Sequence, residues 1–99
     1  MKRLYLVHCG YYDSQVGQGI FESHIDIFVA AENFEEARSK AKELAVFKEK
    51  RMHVDGMLEV QAVDGYRLQL NVDASLEGAS LLLSKKHRDL ATVKNAIGD

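Results

Sequence analysis

Residues 20–50 read IFESHIDIFVAAENFEEARSKAKELAVFKEK, and a change of hydrophobic period inside this stretch decides the fold. From Ile20 to Ala30 the pattern alternates. Ile25, Ile27 and Val29 share one face, while Glu22, His24 and Asp26 share the other. Period-2 alternation marks a half-buried strand. At Asn33 the period lengthens. The Asn33 side chain suits a helix N-cap, and Glu36 three residues later completes an N-x-x-E form of the capping box. Glu35 and Glu36 also suit the positive end of a helix dipole. Phe34, Ala37, Ala41, Leu44 and Ala45 then make one apolar stripe, which predicts a helix from Phe34 to about Lys50 with its stripe against a sheet.

On the N-terminal side, Arg3–His8 (RLYLVH) is rich in strand-forming residues. Gly10–Gly19 (GYYDSQVGQG) reads as a loop, which makes the first two strands antiparallel. On the C-terminal side, His53-Val54-Asp55 falls in the connection after the helix. Met57–Val63 and Tyr66–Val72 then flank Asp64-Gly65, a strong hairpin signal. A two-residue loop there sets apolar residues opposite polar ones. A three-residue loop, Val63-Asp64-Gly65, pairs Ala62 with Tyr66, Val60 with Leu68 and Leu58 with Leu70, so it is the predicted register, with a G1 bulge at Gly65. The expected fold is α+β in ββαββ order: two antiparallel hairpins forming a sheet, with one amphipathic helix packed on one face. Beyond it, Ala79–Ser84 suits a short strand and Asp89–Ile97 a short C-terminal helix. Residues 1–73 are thus expected to form the ββαββ domain, and 74–99 an extension used in self-association.

The chain has 99 residues and a mass of 11.1 kDa, enough for one core and no more. Its 46% hydrophobic and 28% charged residues match an ordinary globular domain, which excludes a disordered, collagen-like or rod-like chain. It has no proline, as suits a chain of strands and helix turned by glycine. No apolar run approaches the ~20 residues of a membrane span, and no secretory pattern opens the sequence. A cytoplasmic protein without a membrane partner is expected. A net charge of −2 argues against nucleic acid as a partner. The basic run Lys85-Lys86-His87-Arg88 reads as a solvated turn. Cys9, the single cysteine, has no disulfide partner within the chain and reads as a small hydrophobe, with His8 directed to the opposite face.

Two His-x-Asp pairs carry the candidate chemistry: His24-Ile25-Asp26 and His53-Val54-Asp55. Residues i and i+2 of a strand face the same side, so His24 and Asp26 point together. If the pairs meet, their two imidazoles and two carboxylates suit Zn²⁺ or another divalent metal, or general acid–base work. If they do not, they are two unrelated surface pairs. A polar sheet face is expected to join Glu22, His24 and Asp26 to Arg67, Gln69 and Asn71, with Arg67 paired to Glu22 or Asp26. Of Tyr11-Tyr12, placed in the loop, one ring is expected on the core edge and the other in solvent. No glycine-rich phosphate loop and no G-x-S-x-G elbow occurs, and no cofactor other than a divalent metal is suggested. The residues therefore read as a non-catalytic binding or assembly module, with a homodimer as the expected partner. The alternative is a metal-dependent or acid–base enzyme using the two His-x-Asp pairs.

The LYLV strand (4–7), ESHIDIFVA (22–30), EEARSKAK (35–42), HVDGMLEV (53–60) and VDGYRLQL (63–70) together resemble the DUF1543 family, a small bacterial domain of unknown function. The resemblance covers residues 3–72 and is sharpest at His53-Val54-Asp55 and Val63-Asp64-Gly65-Tyr66. It implies a bacterial cytoplasmic protein and supports the α/β reading. It assigns no activity, cofactor or catalytic residue.

Overall fold

Alternation governs the first two strands, as their sequences dictate. A computed structural model describes residues 1–88, in which β1 (Arg3–Tyr12) and β2 (Glu22–Ala31) form an antiparallel pair. Tyr5, Val7 and Cys9 of β1 and Val29 and Ala31 of β2 face inward and are buried. β1 runs four residues further than the sequence suggested, through Cys9, Gly10, Tyr11 and Tyr12, so the connecting loop is shorter than expected. A short 3₁₀ turn, Gly17–Gly19, lies within it. Tyr11 packs against the core and Tyr12 is exposed, the division expected, but on a strand rather than in a loop.

The helix starts where its cap predicts. Asn33 Oδ1 accepts from the Glu36 N–H at 2.7 Å, opening α1 (Phe34–Glu43). Glu36 reaches back one residue beyond the usual capping box, accepting from the Glu32 N–H at 3.2 Å and pairing with Lys2. The Lys2 contact, helped by that backbone hydrogen bond, holds the Glu36 carboxyl down at about 2.

The predicted continuous helix to Lys50 is interrupted. Leu44 has an extended backbone (φ −67°, ψ 141°), and a second short helix, α2 (Ala45–Glu49), follows. The stripe is correspondingly altered: Ala37 and Ala41 are buried, whereas Phe34, Leu44 and Ala45 are exposed and Phe47 is buried instead. In one straight helix Phe47 lies well off the Ala37–Ala41 stripe. The break turns its ring inward, and burying a phenylalanine contributes about 1.5–3 kcal/mol, which favours it. Phe34 still contributes at the margin, its ring edge-on to Tyr5 at 5.0 Å.

β3 (His53–Val60) begins at His53, so the second His-x-Asp pair lies on a strand and not in a connection. It pairs antiparallel with β1, giving the sheet order β2-β1-β3. Leu58 and Val60 therefore meet Leu6 and Leu4 of β1, not Leu70 and Leu68. The α+β reading in ββαββ order holds, with the antiparallel sheet covered on one face by α1 and α2.

The second hairpin is a separate two-stranded ribbon, β4 (Ala62–Val63) with β5 (Tyr66–Arg67). Its register is Val63↔Tyr66 and Ala62↔Arg67, so the loop is the two-residue Asp64-Gly65 and the predicted three-residue loop with its G1 bulge is wrong. Both turn residues have positive φ, 52° and 84°, as the primed hairpin turns require. Apolar matching misled because it governs register only where one face is buried. Here Val63 and Tyr66 are 56% and 77% exposed.

Ala79–Ser84 has no regular structure, so the short strand expected there is not formed. The helix expected over Asp89–Ile97 lies outside the described residues. Among the described residues, no helix is long and apolar enough to cross a membrane.

Candidate functional site

Strand alternation sends the even-numbered residues of β1 and β2 to the sheet face opposite the helices. At one end of that face stand His8 and Gly10 of β1, with Glu22, His24 and Asp26 of β2. The register sets His8 beside Asp26, Gly10 beside His24 and Tyr12 beside Glu22. On the other side of β1, Gly10 lies beside His53.

Asp55 joins this group through a break in register. Cys9 pairs with Val54 but His8 with Gly56, so Asp55 is the extra residue of a β-bulge. The bulge changes which residues of β3 face the core. Val54 packs inward before it and Met57 after it, leaving His53 and Asp55 both on the outer face. Bulges commonly re-aim a side chain in this way.

The side chains converge. His53 Nε2 lies 2.8 Å from Glu22 Oε1 and 3.1 Å from Asp55 Oδ1. His24 Nε2 lies 3.2 Å from the same Glu22 oxygen and 3.2 Å from Asp55 Oδ2. The two imidazoles thus share both carboxylates. His8 stacks on His24 with ring centroids 4.9 Å apart and planes 7° from parallel, and its Nδ1 lies 2.7 Å from Asp26 Oδ1. The face is open to solvent, with these six side chains between 29% and 50% exposed.

Gly10 is the floor of the cluster. A Cβ at this position would lie 2.0 Å from Glu22 Oε1 and 2.7 Å from both Asp55 Oδ2 and His53 Nε2. Only a residue without a side chain lets the three groups close over β1 in this arrangement.

The structure therefore brings both predicted His-x-Asp pairs to one place, but not with the expected division of labour. His24, His53 and Asp55 meet directly. Asp26 instead engages His8, which was not among the predicted site residues. The signal for His8 lies in the sequence: it precedes buried Cys9 on a strand and so faces outward, two residues from a glycine. Of the expected polar face, only Glu22, His24 and Asp26 lie on the sheet. Arg67 is in the exposed ribbon, and Gln69 and Asn71 follow in chain without regular structure. Arg67 and Gln69 line a concavity with Arg3, Leu4 and Glu59, at the far end of β1 from Gly10. At the rise of a strand, Leu4 lies about 13 Å from His8, beside Asp26, and about 26 Å from Tyr12, beside Glu22. Asp26 pairs with His8, and Glu22 with His24 and His53, in place of the expected Arg67. β3 pairs with β1 in place of the fourth strand that this expectation required.

Cys9 lies directly behind the cluster, buried on the helix side. Burial pushes its thiol pKa up, and the charges of Asp26 and Asp55 add to the effect. A raised pKa leaves it a packing residue rather than a thiolate ligand or nucleophile.

Two sets of three side chains each offer ligand atoms within 4.8 Å of one another: His8, His24 and Asp55, and Glu22, His53 and Asp55. Imidazole nitrogens mixed with carboxylate oxygens suit Zn²⁺ and other first-row divalent ions.

A family model, Domain of Unknown Function (DUF1543), matches residues 20–70, just over half of the chain. No curated protein and no solved structure matches it. The matched segment carries Glu22, His24, Asp26, His53 and Asp55, with His8 and Gly10 supplied from outside it by β1. The chain belongs to the DUF1543 family.

Proposed function

We propose that this protein is a small binding module that captures a divalent transition-metal ion on the outer face of its sheet. The observation that carries the reading is the convergence of His24 Nε2, His53 Nε2, Glu22 and Asp55 over Gly10. The four contacts among them measure 2.8–3.2 Å. Ligand atoms about 2.0–2.1 Å from a tetrahedral zinc are roughly 3.3 Å apart, so small side-chain movements suffice to form a coordination shell. Carboxylates held this close to one another also favour a cation between them. The openness of the face supports binding rather than catalysis, because electrostatic catalysis is strongest in sites that exclude water.

Titrating the metal-free full chain with Zn²⁺, against a chromophoric chelator as competitor, tests this. Saturable binding is expected, and Co²⁺ should give the visible bands of a low-coordinate nitrogen–oxygen site. His53→Ala removes a direct ligand, so it should weaken binding by more than the roughly 10–100-fold typical of outer-shell changes. Binding by the parent chain that His53→Ala and His24→Ala both leave unchanged would overturn the assignment.

Self-association is a second reading, favoured by the other half of the same sheet face. There Phe28, Leu6 and Leu58 stand side by side across the three strands, with Phe28 48% and Leu58 51% exposed. Contiguous apolar surface of this kind marks interaction sites. Light scattering on the full chain should report a dimer mass that Phe28→Asp reduces to a monomer. A monomer mass for the parent chain across micromolar concentrations would dismiss it.

A further inference from the structure

The cluster is richer than one ion requires. We infer that it holds two divalent ions bridged by the Asp55 carboxylate, a proposal that rests on the metal-binding reading above.

Asp55 divides its oxygens. Oδ1 lies 3.1 Å from His53 Nε2, and Oδ2 lies 3.2 Å from His24 Nε2. Asp55 is the member common to both ligand sets: Glu22, His53 and Asp55 for one ion, and His8, His24 and Asp55 for the other. Carboxylates that address two ions through separate oxygens are the usual bridges of two-metal sites, where the ions stand about 3.5–4 Å apart.

The environment of His8 points the same way. Its Nδ1 is 2.7 Å from Asp26 Oδ1, and an ionised carboxylate can only accept. With Nδ1 turned to that carboxylate, Nε2 is the ring nitrogen left to coordinate an ion. A carboxylate fixing the tautomer of an imidazole is the standard outer-shell arrangement for a ligating histidine. The ring also stacks on His24 at 4.9 Å with planes 7° apart, so one ring would turn about its Cβ–Cγ bond for both to aim their in-plane lone pairs at one ion. Asp26 is thus a positioning residue, and the His8-Asp26 pair has a role that a single ion between His24 and His53 does not give it.

Each ion would have three protein ligands, the count found in open sites that keep positions for water or an incoming ligand. Two adjacent ions with open positions on a solvent-facing sheet suit an oxyanion that spans them, such as a phosphate or carboxylate group.

Metal stoichiometry decides the matter. The full chain, loaded with Zn²⁺ and dialysed, should retain two equivalents by elemental analysis. His8→Ala and His53→Ala should each retain one, and Asp55→Ala should weaken both sites. On the unaltered chain, loading with Cu²⁺ should produce the half-field electron paramagnetic resonance line of a coupled pair, a readout independent of how any variant folds. One equivalent in the parent chain, with no half-field line, would overturn the bridge and leave the single-ion reading standing. Two equivalents retained by His8→Ala would overturn the assignment of the second set. No saturable binding at all would remove both proposals.

Discussion

Gly10→Ala is expected to leave the protein folded while lowering its metal affinity at least tenfold. The two effects separate because of where the added methyl goes. Gly10 has ordinary strand backbone, so alanine brings no conformational penalty and slightly reduces the entropy of the unfolded chain. Its Cβ, however, would occupy space 2.0 Å from Glu22 Oε1 and 2.7 Å from Asp55 Oδ2 and His53 Nε2. All three are the ends of flexible, solvent-facing side chains, so they swing away cheaply and the ligand set opens. Gly56→Ala is the control. It lies next to Asp55, yet nothing is within 4 Å of its Cβ. Circular dichroism and thermal melts should be near those of the parent for both variants, with Zn²⁺ affinity reduced in Gly10→Ala alone. Equal affinity in the two variants would mean that the convergence over Gly10 does not hold the ion.

Phe47→Ala should have the largest effect on stability, a loss of about 3–5 kcal/mol, as for a large aromatic removed from a packed core. Phe47 is 6% exposed and is the buried residue of the five-residue α2. An isolated helix of that length has no stability of its own, so tertiary packing must hold it. Its buried neighbours in the core are Tyr5, Val7, Cys9, Val29, Ala31, Ala37, Ala41 and Met52. Each kcal/mol should shift Tm by about 4–8 °C in a domain of this size, so the transition falls sharply in a thermal melt. Leu44→Ala, at the exposed break between the helices, should change stability far less. Comparable losses at the two positions would show that the break does not serve to bury Phe47.

Elements whose pattern repeats over many residues were legible from sequence. The alternation of β2 and the Asn33 cap of α1 are confirmed because local geometry and burial demand the same residues. Errors arose where a second influence entered. The helix breaks at Leu44 because a ring outside the apolar stripe is buried. Asp64-Gly65 takes the two-residue turn because its ribbon is not buried, which leaves turn chemistry to decide.

For the candidate site, alternation alone dictates which side chains face outward on each strand, since the strand period is local and independent of neighbours. It thereby supplied His24 with Asp26 and, in retrospect, His8 with Gly10. Their meeting with His53 and Asp55 is a property of the assembled sheet. That meeting requires β3 to pair with β1, and then an extra residue at Asp55 to alter the facing of the strand. Both are long-range pairings between segments separated by a helix. They depend on which apolar faces pack together across the whole sheet, and that information resides in no single stretch of the chain.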